Sequence, residues 1–465
     1  MNVIEFLNTP ALLGDAFAGE SHEAFRSVLC GAFAVPMDND RLALFSELAG
    51  GREPPSNRVR ELFVIAGRRS EKTKTAAAVA LFLATVYAEL EGLVTKLSRG
   101  ERAVVAVLAV DRAQAKLAFG YIQGMVEQSP VLSQMVKKQD AAAIHFNNRI
   151  SVEIHTNSFR AIRGRTLLAV LMDECAFYRS ESVANPDIET YRAALPGLAT
   201  LNGMLIGVSS PYAKRGLLYQ KYRDHYGQDS DVLVVQGSTQ LFNPTIDHAV
   251  IEAALKEDPE AAQSEWLGEF RSDLEAFISR EVIEALVRAS PVEIPYSNKH
   301  HYFAFTDPAG GGQDEFTIAI GHMEGDVVVV DLVRGQKGTP SVIVGEYSQL
   351  LKDYRVFEVY GDRYGGSWPS DEYKKHGIRY VTSEKPKSDL YVDVLPLINS
   401  GRIELPPVQK LINQFSNLER RTSRNGKYSI DHGPGGHDDL SNAVAGLGTF
   451  CKRPPRTVTF TSLKL

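Results

Sequence analysis

Cysteine is scarce in this sequence: Cys30, Cys175 and Cys451 are the only three in 465 residues, far apart, with no CxxC pair and no histidine partner at zinc-ligand spacing. That pattern excludes a disulfide framework and suits a reducing compartment. Positive charge is not in excess either, with 51 Lys and Arg against 57 Asp and Glu, a net charge of −6. A protein that coats DNA permanently is basic as a rule, because phosphate neutralisation dominates its affinity. The balance excludes such a coat and leaves room for an enzyme that grips DNA transiently through local basic patches. No run approaches the roughly 18 apolar residues that read as a membrane span. The longest, over 76–88, continues into Glu89 and Glu91, so no membrane partner is expected. The first residues show no basic region followed by an apolar run, so no secretory signal is read, and no internal repeat or low-complexity tract occurs.

What is present is the composition of a packed globular protein, 44% hydrophobic and 23% charged. The length exceeds what one hydrophobic core supports, so two domains are expected. After some fifty residues of short helices and turns, an apolar run over 62–66 reads as a buried strand. An Ala-rich helix over about 74–91 follows it. Further apolar runs at 103–110, 150–154, 167–172 and 204–208 alternate with helical stretches, the pattern of an α/β domain with a mostly parallel sheet. From Thr239 the chain reads as helical and polar, including Glu265-Trp266-Leu267-Gly268-Glu269-Phe270. A new strand system begins near His301: a meander over 302–333 with a Gly310-Gly311-Gly312 turn, a helix over 341–354, a strand over 356–361 and a last helix from Asp439. The expected division is 1–240 for the first domain, 241–298 for its helical end and linker, and 299–465 for the second.

The first strand leads into Gly67-Arg68-Arg69-Ser70-Glu71-Lys72-Thr73 and then a helix. Strand, loop ending Lys-Thr, and helix form the setting of a phosphate loop. Backbone N–H groups at the helix start would hold phosphate oxygens, Lys72 would reach the terminal phosphates, and Thr73 would bind Mg²⁺. Glu71 departs from the usual glycine, adding bulk and negative charge beside a triphosphate. The run Leu167 to Met172 ends in Asp173 and Glu174, placed to hold Mg²⁺ and to position an attacking water. Ser209 and Ser210 end another strand at the same edge, and Arg68 or Arg69 would supply transition-state positive charge. In the second half Asp307 and Asp362 each end a strand, while Asp438 and Asp439 open the last helix after Gly435-Gly436. Carboxylates gathered this way hold two divalent ions about 4 Å apart for phosphodiester cleavage. Oxygen-only ligation suits Mg²⁺ or Mn²⁺. Lys385, Lys387, Arg420, Arg421 and Arg424 are the basic residues available for a DNA backbone.

On these residues the chain resembles the large subunits of phage terminases along nearly its whole length. The loop from Gly67 to Thr73 is similar to their phosphate loop, Leu171 to Glu174 to their Walker B strand, and Ser209-Ser210-Pro211 to their coupling motif. Glu265 to Phe270 is similar to the family's passage into its linker. Gly361-Asp362-Arg363-Tyr364 and His437-Asp438-Asp439 look like the family's nuclease phrases. The resemblance implies a P-loop NTPase domain followed by an RNase H-like α/β nuclease domain. Implied with it are ATP and Mg²⁺ or Mn²⁺ as cofactors, cleavage of concatemeric double-stranded DNA, and its ATP-driven translocation into a procapsid. The implied partners are double-stranded DNA, a small terminase subunit and a portal protein carrying a homo-oligomeric ring, in the cytoplasm of a bacterial host and outside the finished virion. Glu71 suggests one alternative, a prophage-derived relative with impaired ATPase that keeps a nuclease or assembly role.

Overall fold

The computed structural model describes residues 1–156, 159–178, 186–308, 315–362, 366–422, 428–434 and 436–451. The chain divides into two compact units, Met1–Ser180 with Asn185–Ser272, and Asp273–Leu465. This boundary cuts through the stretch 241–298. The helix His248–Glu257 belongs to the first unit, whereas Leu274–Ala276 hydrogen-bonds as a strand to Glu419, Arg420 and Arg421 of the second.

The first unit is built on eight strands: β1 (Glu61–Ala66), β2 (Ala103–Ala109), β3 (Val136–Gln139), β4 (Ala143–Phe146), β5 (Ile150–Thr156), β6 (Thr166–Asp173), β7 (Met204–Ser209) and β8 (Val232–Gly237). Their order is β3-β4-β5-β2-β6-β7-β1-β8. All neighbours from β5 to β8 are parallel, and β4 and β3 extend the sheet as an antiparallel edge. β2 and β7 are buried throughout, β1 and β6 in all but their first residue. Strands covered on both faces must be apolar at every position, which is why their runs stand out in the sequence. The helix after β1 continues to Leu90, and its composition alone would suit a bilayer. Within this unit 67% of its most apolar window is buried, with Ala76 to Phe82 in the core, so packing accounts for its apolarity.

The second unit opens with β9 (Leu274–Ala276), followed by β10 (Tyr302–Asp307), β11 (Phe316–Glu324), β12 (Val327–Gln336), β13 (Glu358–Gly361), β14 (Arg379–Thr382), β15 (Ile403–Glu404), β16 (Leu418–Thr422) and β17 (Tyr428–His432). Its main sheet has the order β14-β13-β10-β11-β12-β15, while β17-β16-β9 form a small antiparallel sheet. β10, β11 and β12 are the expected meander, and β13 and β14 add in parallel on the free side of β10. This is the RNase H-like arrangement. The expected fold class, a mostly parallel P-loop sheet followed by such a unit, is the one observed. The last helix, Asp439–Phe450, lies close on the sheet because Gly446 leaves room: a Cβ there would stand 2.4 Å from the Phe305 ring. Phe450 stacks on Phe305 and Tyr360, with centroids 5.9 and 4.1 Å apart.

Candidate functional site

In the first unit three strand ends adjoin. β7 runs between β1 and β6, with Ser209 level with Ile65 of β1 and Val208 level with Asp173 of β6. Lys72 Nζ lies 3.0 Å from Ser210 Oγ and 3.0 Å from Glu174 Oε1. Thr73 Oγ1 donates to Asp173 Oδ1 at 3.0 Å. Glu174 Oε2 accepts from the Ser209 hydroxyl at 3.1 Å and from the Ser210 N–H at 3.2 Å. Lys72, Glu174, Ser209 and Ser210 therefore form one hydrogen-bonded network, beside the Thr73–Asp173 pair. Asp173 is 2% exposed, and burial, then the Glu174 charge, push its carboxyl up to about 6 against the Thr73 hydrogen bond and the Lys72 charge. A carboxyl so placed gains from a nearby cation. The Ser70 hydroxyl is buried with no hydrogen-bond partner among the described residues. An orphan hydroxyl in the loop, a Thr–Asp oxygen pair and an ammonium group fit a Mg²⁺–nucleotide.

Backbone strain gathers at the same place. Of the seven non-glycine residues with positive φ among the described residues, three are Arg69 (62°), Glu71 (65°) and Glu174 (51°). Such a conformation costs an L side chain roughly 1–2 kcal/mol, and functional sites are where it is commonly held. At Glu71 it explains in physical terms why a glycine would be at ease. The Glu71 carboxylate does not accompany Lys72. Its Oε2 lies 3.3 Å from His22 Nδ1 and 3.3 Å from Lys74 Nζ.

The loop is seated against residues distant in sequence. A Cβ at Gly67 would stand 2.3 Å from Thr239 Oγ1 and 2.7 Å from the Trp266 carbonyl. The Arg68 N–H donates to the Glu265 carbonyl at 2.5 Å, and the Arg68 guanidinium pairs with the Glu265 carboxylate at 3.0 Å. The Thr239 hydroxyl donates to the Arg68 carbonyl at 2.7 Å, and Asn243 Nδ2 to that of Arg69 at 2.9 Å. Arg68 is thus tied to Glu265, although, like Arg69, it is exposed. Thr239, Asn243 and Glu265 are positioning residues: the sequence singled out Glu265 only within the phrase 265–270, and Thr239 and Asn243 not as site residues, since their partner is a loop some 170 residues earlier.

In the second unit β10 and β13 are parallel neighbours, with Thr306 level with Gly361. Asp307 and Asp362 therefore leave adjacent strand ends. Asn442, one turn into the last helix, donates through Nδ2 to Asp307 Oδ2 at 2.7 Å and to Asp362 Oδ2 at 2.9 Å. Asp438 accepts from Lys387 Nζ at 3.1 Å and from Tyr391 OH at 3.1 Å, and Lys387 also reaches Asp431 at 2.7 Å. Asp439 accepts through its side chain from the Glu315 N–H at 3.4 Å and through its carbonyl from the Thr317 hydroxyl at 2.8 Å. Burial, and then the charges of Asp362, Asp439 and Asp438, hold the Asp307 carboxyl well above its ordinary range, against the Asn442 hydrogen bond. Burial and the Asp438 charge raise Asp362 as well, opposed by Asn442 and Lys387. Asp307 and Asp362 thus share one amide, Lys387 pairs with Asp438, and the charges of Asp438 and Asp439 reach Asp307, so the group is short of positive charge. Asn442 Oδ1 is buried with no partner among the described residues. A crowded oxygen set with an orphan acceptor fits divalent Mg²⁺ or Mn²⁺.

Some basic residues expected on a DNA surface are engaged otherwise. Lys387 belongs to the acid cluster, Lys385 pairs with Asp393 at 2.5 Å, and Arg420 lies over the rings of Phe277 and Tyr428 at 5.6 and 5.4 Å. Arg421 is 3.8 Å from Glu419. Arg424, Arg363, Tyr364, Gly435 and the Gly310-Gly311-Gly312 turn lie outside the described residues. Asn442, Tyr391 and Asp431 were missed. For Asn442 a signal existed, since it stands four and three residues after Asp438 and Asp439, on the same side of a helix.

No family model matches the chain, and no curated protein does. Among solved structures the chain is similar to the HK97 bacteriophage large terminase, with 14% identity and a TM-score of 0.40 over 97% of this chain and 99% of that one. It is similar to the large terminase of a thermophilic bacteriophage, with 12% identity and a TM-score of 0.39 over 93% and 99%. It is also similar to the large terminase nuclease of a second thermophilic phage, G20c, with bound magnesium, with 20% identity and a TM-score of 0.33 over 38% of this chain and 98% of that one. At such TM-scores these likenesses carry no inference about chemistry, and the two constellations described above carry it themselves.

Proposed function

We propose that this chain is the large subunit of a DNA-packaging terminase, an ATPase that drives double-stranded DNA into a procapsid and a divalent-metal-dependent endonuclease that cuts the concatemer. The observation that supports this reading is the pairing, in one chain, of the Lys72–Glu174–Ser210 network beside Thr73–Asp173 with the Asp307–Asn442–Asp362 cluster. In the first site Ser70, Lys72 and the N–H groups at the start of the helix that follows the loop would bind the nucleotide phosphates, and Thr73 and Asp173 would hold Mg²⁺. Glu174, fixed by Ser209 and Ser210 N–H, is placed to orient a water and accept its proton. Because the two serines touch Glu174 and Lys72, a shift at the end of β7 accompanies a shift in the catalytic carboxylate, which suits a coupling role.

In the second site Asp307, Asp362, Asp438 and Asp439 would hold Mg²⁺ or Mn²⁺, which when bound supplies charge neutralisation and a more acidic water. Asn442 orients two of these ligands, and Lys387 and Tyr391 a third. The partners proposed are double-stranded DNA, a small terminase subunit, and a portal carrying a homo-oligomeric ring of this chain, in the host cytoplasm and not in the finished virion. The impaired-ATPase alternative has no observation in its favour, since the Glu71 carboxylate pairs with Lys74 and lies beside His22. The test uses the full chain with linear double-stranded DNA. Lys72→Ala should abolish DNA-stimulated ATP hydrolysis and leave Mn²⁺-dependent cleavage, and Asp362→Ala should do the reverse. Absence of hydrolysis in the parent chain, or cleavage that survives Asp362→Ala, would overturn the corresponding half.

A further inference from the structure

At the opposite end of the β10–β11 pair from Asp307, a second group of possible metal ligands stands apart from the acids. The register sets Asp307 level with Thr317 and Tyr302 level with His322. Five residues of strand therefore separate the two ends, roughly 17 Å. His322 Nε2 lies 3.3 Å from Glu324 Oε1, and His300 Nε2 lies 3.8 Å from the same oxygen. One ligand atom from each of His300, His322 and Glu324 falls within 4.8 Å of the others. The two imidazole rings face each other with centroids 4.0 Å apart.

The far side of His322 is built as well. Its Nδ1 is 2.7 Å from Asp331 Oδ2, and both residues are buried, at 2% and 0% exposure. Asp331 lies in β12, where the register with β11 shifts, so a carboxylate is buried within the apolar stretch Val327 to Val333. A buried carboxylate on one imidazole nitrogen, with the other nitrogen directed at further ligands, is the arrangement that fixes ring orientation behind metal-bound histidines. Apolar strands rarely bury a carboxylate without cause. Tyr302 packs edge-on against the His322 ring, with centroids 5.4 Å apart, and limits its rotation.

We propose that His300, His322 and Glu324 form a binding site for a divalent transition metal of the Zn²⁺ class, with Asp331 as the positioning residue behind His322. Two imidazoles and one carboxylate prefer such a metal to the Mg²⁺ suited to the all-oxygen cluster. Three protein ligands leave a fourth position for water, and Glu324 is exposed enough to let water in. The ion would fasten His300, two residues before β10, to the end of β11, stabilising the end of these central strands remote from the acids.

The test uses the full chain carrying Asp307→Asn, Asp362→Asn, Asp438→Asn and His432→Ala, since Asp431, His432 and Asp438 also set ligand atoms within 4.8 Å of one another, so that neither that group nor the acid cluster competes for the probe. Zn²⁺ should bind this background with one equivalent by calorimetry and raise its melting temperature. Co²⁺ should give the visible absorption of a nitrogen-coordinated ion. His300→Ala and Glu324→Gln, both at accessible positions, should each weaken Zn²⁺ binding at least about tenfold and remove the Co²⁺ band. Asp331→Asn should weaken binding about ten- to a hundredfold with all three ligands intact. Lack of Zn²⁺ binding in this background, or binding and a Co²⁺ band unchanged by His300→Ala and Glu324→Gln, would overturn the proposal.

Discussion

At the end of β6, Glu174 has an ammonium group 3.0 Å away, whereas at the ends of β10 and β13 the carboxylates of Asp307 and Asp362 share the neutral amide of Asn442. Both sites crowd acids into poorly hydrated space, and in both the carboxyl groups are pushed upward, Asp173 to about 6 and Asp307 well above its ordinary range. The difference lies in where the compensating charge originates. The first site carries its own lysine, fixed by the loop that would bind phosphate. The second places Lys387 on Asp431 and Asp438, where its charge also bears on Asp362, and ties Asp307 to the neutral Asn442 amide. An acid pair bridged by a neutral amide would gain from an added divalent metal in geometry as well as in chemistry.

The largest expected effect tests whether Glu174 is chemical or merely the partner of Lys72. Glu174→Gln should lower steady-state ATP hydrolysis at least about a hundredfold while equilibrium nucleotide binding stays near that of the parent. A parallel loss of binding would make it a structural partner. Next comes the amide in the second site. Asn442→Ala should reduce Mn²⁺-dependent nicking about ten- to a hundredfold, with partial recovery at higher Mn²⁺. Undiminished nicking at low Mn²⁺ would show that the two acids need no link.

A smaller effect concerns pH. The Asp173 carboxyl is raised from 3.8 to about 6. A raised acid contributes its stability while protonated, below 3.8, and loses it as pH climbs through about 6. Asp173→Asn, which cannot ionise, should therefore melt progressively above the parent between about pH 4 and 6, by a few degrees, when neither Mg²⁺ nor nucleotide is added. A constant difference across that range would mean that the parent carboxyl is already ionised at its start. The smallest effect is expected at Glu71. Glu71→Gly relieves the positive-φ strain and gives up the His22 and Lys74 contacts, so ATP turnover should stay within about threefold and stability within about 1 kcal/mol. A large gain in turnover would restore the view that Glu71 disables the loop.

The central strands were legible because burial on both faces leaves no polar position to interrupt them, as in Val104 to Ala109 or Leu167 to Met172. β8 carries the same kind of run, Val232 to Val235, yet stands so near the polar stretch after Thr239 that it was passed over. β3 and β9 were illegible for a better reason: their exposed residues, such as Lys137, Lys138 and Glu275, are strand only through their partners. The candidate acids were legible as strand ends and a helix start. Their bridging amide was legible only as a helical spacing from Asp438 and Asp439, and in a helix that also carries Ser441 and Thr449 such a spacing has ordinary explanations. The seat of the phosphate loop was least legible of all, since Thr239, Asn243 and Glu265 meet the loop only through tertiary structure.

That seat has a mechanical side. Gly67 lies against the Trp266 carbonyl, and Gly268, at φ +73°, would place a Cβ 2.4 Å from the Gly237 carbonyl. Gln236 Nε2 clasps the Gly268 carbonyl at 2.6 Å. At both glycines main chain approaches main chain so closely that a methyl group has no room, with the Thr239 and Gln236 side chains holding the stretches in place. Gly67→Ala or Gly268→Ala would therefore force the passage 265–268 or the start of the phosphate loop to give way.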